Sequence, residues 1–271
     1  MISIKEALTR VQETTSKLGS VKVDLLNALG SVLSESIQSP INMPPFDQSA
    51  MDGYALGEEA LVYTVVTEIQ AGASVTGKSL SRGEAARIFT GAMIPEGTIS
   101  IAKQEIVKRD GNTITLLEEV REGMSIRKKG EELAINEIAI SKETYLNPAA
   151  IGFLSGLGIQ KVNVYRKPKI ALIVTGNELT KPGEILLPGR IYESNSATLT
   201  SVLKHAGFDS SLVTVKDDFN STKETIGNAI DQNDVVIITG GISVGDYDFV
   251  GRALAELHVE EVFYKVKQKP G

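Results

Sequence analysis

Cysteine is absent from the 271-residue chain, which excludes disulfides and thiolate metal sites. A bound metal must therefore be held by oxygen ligands or by the two histidines, which favours hard cations. A basic excess is also missing. The formal net charge is −6, whereas binding a phosphate backbone needs a concentrated basic face. Nucleic acid is not expected as a partner, and an anionic ligand has to be met by local groups. No apolar run approaches the ~20 residues that cross a bilayer, and residues 1–10 are charged rather than apolar. The reading is a cytoplasmic protein with no membrane association. What is present, 42% hydrophobic and 23% charged residues, is an ordinary globular composition with length enough for two or three domains.

Ser3, followed three residues later by Glu6, matches a helix capping box, and Ala7, Leu8 and Val11 continue at helical spacing. A second helix is expected over 24–36. Ser39-Pro40 and Met43-Pro44-Pro45 then remove backbone donors and disfavour helix. From about 54 to 133 the pattern becomes short β runs, at 62–67, 86–90 and 113–117. Turn signals stand at Pro95-Glu96-Gly97 and at Asp110-Gly111-Asn112, which reads as a hairpin. Asn147-Pro148 reads as an N-cap with proline at the first helical position, and Gly156 or Gly158 supplies the stop. The expected organisation is a helical N-terminal domain, residues 1–44 and 135–166, with a small β domain inserted at 45–134.

Lys167-Pro168 marks the next boundary. Beyond it, over 167–271, strands at 170–174, 212–215 and 235–238 alternate with helices at 197–206, 222–231 and 249–257. That alternation indicates right-handed βαβ crossovers and a doubly wound parallel sheet, giving a multidomain α/β protein. Ligands of such sheets bind outside the carboxyl ends of the strands. Those ends carry Thr175-Gly176-Asn177-Glu178-Leu179, then Lys216-Asp217-Asp218, then the segment 239–248, in which Gly240, Gly241 and Gly245 precede Asp246 and Asp248. Glycines let backbone approach a ligand, and the following helix can direct free N–H groups at an anion. Carboxylates beside a phosphate repel it unless a divalent cation lies between, and magnesium is held by one or two carboxylates plus substrate phosphates. The loops therefore suggest a phosphate ester with magnesium. Taken singly, each carboxylate reads better as a turn residue or helix cap; three at one sheet edge beside a glycine loop favour chemistry.

Gly241-Ile242-Ser243-Val244-Gly245 also matches the nucleophile elbow of serine hydrolases. That mechanism needs an acid and then a histidine farther along. Only His258 follows Ser243, near the end of the very next helix, and His205 precedes it, so no triad can be assembled.

The residues at the strand ends and in the β region together resemble the molybdopterin molybdenumtransferase (MoeA-type) family, which includes the C-terminal domain of gephyrin. The resemblance rests on Ser49-Ala50-Met51-Asp52-Gly53-Tyr54-Ala55, on Arg87-Ile88-Phe89-Thr90-Gly91-Ala92 with Pro95-Glu96-Gly97, on Arg127-Lys128-Lys129-Gly130-Glu131, on 175–179 and on 239–248. It implies insertion of molybdate into adenylated molybdopterin, with magnesium assisting and AMP released. It also implies a homodimer whose cleft joins the parallel domain of one subunit to the β domain of the other, and contact with other molybdenum-cofactor biosynthesis proteins. On the same ground Asp52, Glu178, Asp217 and Asp248 match acidic active-site positions, with Glu178, Asp217 and Asp248 as metal ligands. Thr90, Arg127, Ser243, Lys265 and Lys269 match positions lining the substrate cleft, and Gly240, Gly241 and Gly245 its nucleotide-facing loop. Without the resemblance, Asp52-Gly53 reads equally as a tight turn and 127–129 as a solvated tip, while Lys265 and Lys269 read better as solubilising charges. The chain departs from the pattern at Glu132, where the family usually has Asp, and at its end, where the family continues into more of the parallel domain and a C-terminal β domain. Two other functions share these features: a non-catalytic gephyrin-like scaffold, and an adenylyltransferase acting one step earlier on the pterin.

Overall fold

The computed structural model describes residues 1–215, 218–241 and 249–268. The chain opens with α1 (Ile4–Thr14), β1 (Ser20–Asp24) and a 3-10 turn at Leu25–Ala28. Next come β2 (Ile37–Gln38), β3 (Gln48–Ser49), β4 (Gly53–Leu56), β5 (Tyr63–Ile69), β6 (Glu84–Ile88) and β7 (Ser100–Lys103). After them follow β8 (Val107–Asp110), β9 (Thr113–Leu116), β10 (Ile126–Arg127), β11 (Ile138–Ile140), α2 (Pro148–Gly156) and β12 (Lys161–Tyr165). The last stretch holds β13 (Ile170–Thr175), β14 (Leu179–Thr180), β15 (Ile191–Tyr192), α3 (Asn195–His205), β16 (Ser210–Val215), α4 (Phe219–Gln232), β17 (Val235–Thr239) and α5 (Phe249–Glu256). The chain divides into two compact units, one of residues 1–22 with 163–271 and one of 23–162.

The unit of 23–162 is built on a six-stranded sheet, ordered β7-β4-β6-β5-β9-β8. Its pairings are antiparallel except β5 with β6. Alternation sends Tyr54, Leu56, Ala85 and Ala102 into one apolar cluster and Ala55, Ala86, Ile88 and Ile101 into another. β4, buried at all four positions, is thus the strand on which both clusters meet. The hairpin signal at 110–112 is realised: Asp110 pairs with Thr113, leaving Gly111 and Asn112 as the turn. Asn147 caps α2 as expected, its Oδ1 accepting from Ala150 N at 2.9 Å, with Pro148 in the first turn.

The helix expected over 24–36 does not form. Its backbone groups find partners far along the chain: Leu25 N donates to Gln160 O, Gly30 N to Leu146 O, and Leu33 N to Thr144 O. Helix propensity is a weak prior that such long-range pairing readily overrides, and only the single turn Leu25–Ala28 survives.

In the other unit, β16-β13-β17 form a parallel sheet in that order. The chain runs β13, α3, β16, α4, β17, moving to one side of β13 and then back across it. With right-handed crossovers, this puts α3 on one face and α4 on the other. Ala171 and Ile173 of β13 pack with Ile226 and Ala229 of α4 and with Val250 and Ala253 of α5. All six residues of β13 are buried, as befits a central parallel strand covered on both faces. At the N-terminus, Ser3 Oγ accepts from Glu6 N at 3.1 Å, whereas Glu6 reaches forward to Arg10 at 2.8 Å rather than back to the cap. Among the described residues no helix is long and apolar enough to cross a membrane.

Candidate functional site

Within the β unit, the chain entering β4 carries Asp52. Gly53 is a strand residue rather than part of a turn: it pairs with Ile88 and Lys103, and a Cβ there would sit 2.0 Å from Ala102 O. The sheet demands glycine at 53, which leaves Asp52 as the first side chain free to face outward. Its Oδ1 accepts from Thr90 N at 2.8 Å and from Thr90 Oγ1 at 2.7 Å, so the structure brings these two residues together as the resemblance implied. Oδ2 has no hydrogen-bond partner among the described residues. The Thr90 amide first, and then the Thr90 hydroxyl, hold the Asp52 carboxyl below its ordinary range, with Arg87 adding to the effect. Arg87 was missed by sequence reasoning. It donates to Gly53 O at 2.8 Å and to Gln104 Oε1 at 2.9 Å, and its guanidinium lies over the rings of Tyr54 and Phe89. The fixed cation beside Asp52 was signalled only by its place in the run 87–92.

Arg127 lies on β10, opposite Gln48 of β3. Its Nη1 is 3.1 Å from Glu132 Oε1, so the longer acid at 132 reaches the arginine across the turn. The next residues are tied down by Asp47, whose Oδ1 accepts from Lys129 N at 2.8 Å and whose Oδ2 accepts from Lys128 Nζ at 3.0 Å.

In the α/β unit, the segments after β13 and β17 adjoin at the carboxyl edge of the sheet. Gly240 has φ +91°, and a Cβ on it would lie 2.0 Å from Thr175 O; one on Gly241 would lie 2.8 Å from Val250 Cγ2 and 2.9 Å from Thr175 Cγ2. Packing against Thr175 and Val250 thus requires these glycines, whatever ligand the loop takes. Glu178 is exposed, and its carboxylate oxygens lie 2.8 and 3.0 Å from where a Cβ of Gly176 would be. Space over a glycine lets this carboxylate fold back to the strand end. Directly after β15 stands Glu193, also missed by sequence reasoning, which accepts from Ser196 N at 2.8 Å and from Ser196 Oγ. Burial raises the Glu193 carboxyl, but the bonds from the Ser196 hydroxyl and the Ser196 and Asn195 amides outweigh it and hold the group below its usual range. Asn195 Nδ2 in turn donates to Thr239 Oγ1 at 2.9 Å, joining the start of α3 to the end of β17. An acid three residues ahead of Ser196, at the start of a helix, was the available signal.

Lys265 is exposed, with its carbonyl accepting from Ile2 N at 2.9 Å and its ammonium over the Tyr264 ring. Asp217, Ser243, Gly245, Asp248 and Lys269 lie outside the described residues. Among the described residues, no group of three or more His, Asp or Glu side chains is placed to hold a metal ion. His205 closes α3 and His258 follows α5 with φ +57°.

Two family descriptions match the chain in succession, "MoeA N-terminal region (domain I and II)" over residues 2–158 and "Probable molybdopterin binding domain" over residues 171–271. The chain belongs to the MoeA family. The molybdopterin molybdenumtransferase of Staphylococcus epidermidis RP62A is 32% identical to it over 280 aligned positions, which cover 100% of this chain and 67% of that protein. The Staphylococcus aureus MSSA476 enzyme of the same name gives the same identity and coverage. A crystal structure of a MoeA protein of molybdopterin biosynthesis from Pyrococcus horikoshii superposes with a TM-score of 0.80 at 33% identity, covering 100% of this chain and 70% of that one. A second structure of a MoeA protein from that organism gives a TM-score of 0.80 at 34% identity, covering 89% and 66%. This MoeA chain thus spans about two thirds of the length of its curated relatives.

Proposed function

We propose that the protein acts in molybdenum cofactor biosynthesis as a molybdopterin molybdenumtransferase, taking molybdate and adenylated molybdopterin to molybdenum cofactor, AMP and water. The observation that carries the reading is the Asp52–Thr90 pair, set at a glycine that the sheet itself requires, in a chain matched end to end by the family. A carboxylate held ionised by two donors carries protons poorly near neutrality and serves well as a fixed acceptor. Asp52 therefore orients substrate through Oδ2 and places negative charge where a proton donor or cation must sit. Arg127, Lys265 and Lys269 meet the phosphate charge, while Ser243, Gly245 and the backbone at Gly240 and Gly241 line the nucleotide end.

Glu178, Asp217 and Asp248 would hold magnesium. The oxygen-only donor set, with the Glu178 carboxylate folded over Gly176 at the strand end, fits a hard cation. When bound, that ion neutralises the phosphates and polarises the phosphoryl group. The chain has no cysteine, and His258 lies on the segment directly after α5, so no triad supports an acyl- or phosphoryl-enzyme; the protein's part is positioning and electrostatics. A homodimer in the cytoplasm is part of the same reading.

The test supplies adenylated molybdopterin, molybdate and magnesium and follows AMP. Release that depends on molybdate is expected. Absence of release would overturn the reading, and consumption of ATP with free molybdopterin would replace it with the adenylyltransferase step. Sedimentation shows whether the protein is dimeric.

A further inference from the structure

Arg127 is held in place by very little of its own element. β10 is two residues long and pairs only with Gln48 and Ser49, and immediately afterwards the chain turns back on itself, with Glu131 N donating to Lys128 O at 3.1 Å. Ile126 packs against the apolar cluster around Ile88 and Ile101, but Arg127 points out of it, and a two-residue ladder offers few bonds to hold the exposed end. Within the turn, Glu131 Oε2 accepts from Lys128 N at 2.8 Å, and Gly130 N donates to Pro44 O at 2.9 Å. Among the described residues, one side chain outside the turn bonds to it: Asp47, which takes Lys129 N at 2.8 Å and Lys128 Nζ at 3.0 Å. These are charge-assisted bonds, stronger than neutral ones, donated to a carboxylate about one third exposed.

We propose that Asp47 is a positioning residue for substrate binding: it clamps the turn at 128–131 so that Arg127 is presented at a fixed place to the anionic part of the substrate. The inference rests on the molybdenumtransferase reading for the identity of that substrate. The clamp acts from both ends of one carboxylate. Oδ1 fixes the backbone at Lys129, and Oδ2 draws the Lys128 ammonium back toward β3. Lys128 is thereby occupied, which leaves Arg127, bonded among the described residues to Glu132 across the same turn, and Lys129 as the cations whose placement the clamp bears on. The carboxyl of Asp47 is held below its ordinary range, by the Lys129 amide first and, after an opposing effect of burial, by Lys128. The clamp therefore remains charged at neutral pH.

Because Asp47 touches the turn and not the reacting atoms, its loss should weaken binding and leave the chemical step alone. Asp47→Ala is expected to raise KM for adenylated molybdopterin by about tenfold, with kcat within about twofold of wild type. Asp47→Asn keeps an acceptor for Lys129 N and should lie between the two. A purely structural role would instead lower the fraction of working enzyme, reducing apparent kcat at unchanged KM. Amide exchange gives a readout apart from activity: Lys129 N–H should exchange slowly in wild type, somewhat faster in Asp47→Asn and at the rate of an open loop in Asp47→Ala. If the wild type releases no AMP, the function reading fails, while exchange still decides whether Asp47 holds the turn. If the wild type turns over and Asp47→Ala keeps its KM, or Lys129 exchanges equally in all three proteins, the positioning role is overturned.

Discussion

Gly240→Ala separates two reasons for a glycine at the end of β17. If the residue is there only so that backbone can approach a nucleotide, alanine should fold normally and merely bind less. The geometry says otherwise. The residue has φ +91°, and the added Cβ would stand 2.0 Å from Thr175 O, on the central strand of the parallel sheet. The positive φ costs about 1–2 kcal/mol. Opening the contact by more than about 1 Å adds an overpacking cost of about 1–3 kcal/mol, for a total of about 2–5 kcal/mol. Gly207 provides the control within the same unit: its φ is +82°, but the nearest heavy atom to its Cβ position is the flexible Lys167 Nζ at 3.6 Å. Gly207→Ala should therefore cost only the backbone share, about 1–2 kcal/mol. With a urea slope of about 2 kcal/mol per molar, the midpoint should fall by about 1–2.5 M for Gly240→Ala and by about 0.5–1 M for Gly207→Ala. Urea unfolding followed through amide exchange at Ile170–Thr175 reads the parallel unit directly. Equal midpoints for the two variants would show that packing against Thr175 does not demand the glycine.

Asp52→Ala should reduce molybdate-dependent AMP release by at least about a hundredfold, and Thr90→Ala, which loses the hydroxyl bond but keeps the amide bond, by roughly tenfold; wild-type rates in both would remove the pair from the site. Glu178→Gln should raise the magnesium concentration needed for half-maximal release, and an unchanged magnesium dependence would take Glu178 out of the ion site. Ile173→Ala, which empties a fully buried position between β13 and α4, should cost about 2–5 kcal/mol in unfolding experiments. Asp234 is held well below the usual carboxylate range by the Arg166 guanidinium, at 2.6 and 2.7 Å, and by Lys169 N. Its depressed native pKa means that the pair stabilises fully above the unfolded value of about 3.9 and loses that contribution as pH falls below it toward the native value. The difference in Tm between wild type and Asp234→Asn should accordingly shrink between pH 7 and pH 3.

The legible parts of the chain were those whose signals are local. Strand and helix alternation after Lys167-Pro168 places every described element of the parallel sheet within a few residues, because each strand is a short apolar run set off from the helices by turn residues, whether it is buried throughout like β13 or largely exposed like β16. The cap at Asn147-Pro148 and the turn at Gly111-Asn112 are likewise short-range chemistry, written where they act. The helix expected over 24–36 failed for the opposite reason: its backbone donors are taken by Leu146 and Thr144, more than a hundred positions away, and periodicity within a window contains nothing about such partners.

The same distinction sorts the candidate site. Asp52 and Thr90 are 38 residues apart and meet through two hydrogen bonds, so no spacing rule joins them; only resemblance did. Gly240 and Gly241 were visible as glycines, but the reason for them was not, because Thr175 approaches from another strand. Asp47 is the sharpest case. It lies 81 and 82 residues from the lysines it holds, in a stretch that sequence reading passes over as the approach to a motif. An acid that acts by holding a cation's backbone has no composition or period of its own, and its function exists only once β3 and β10 have paired. On the proposed reading, that pairing brings the charge at Arg127 under the control of a residue outside its own loop, so the affinity of the site for an anion would depend on the β unit's folding and not on the arginine alone.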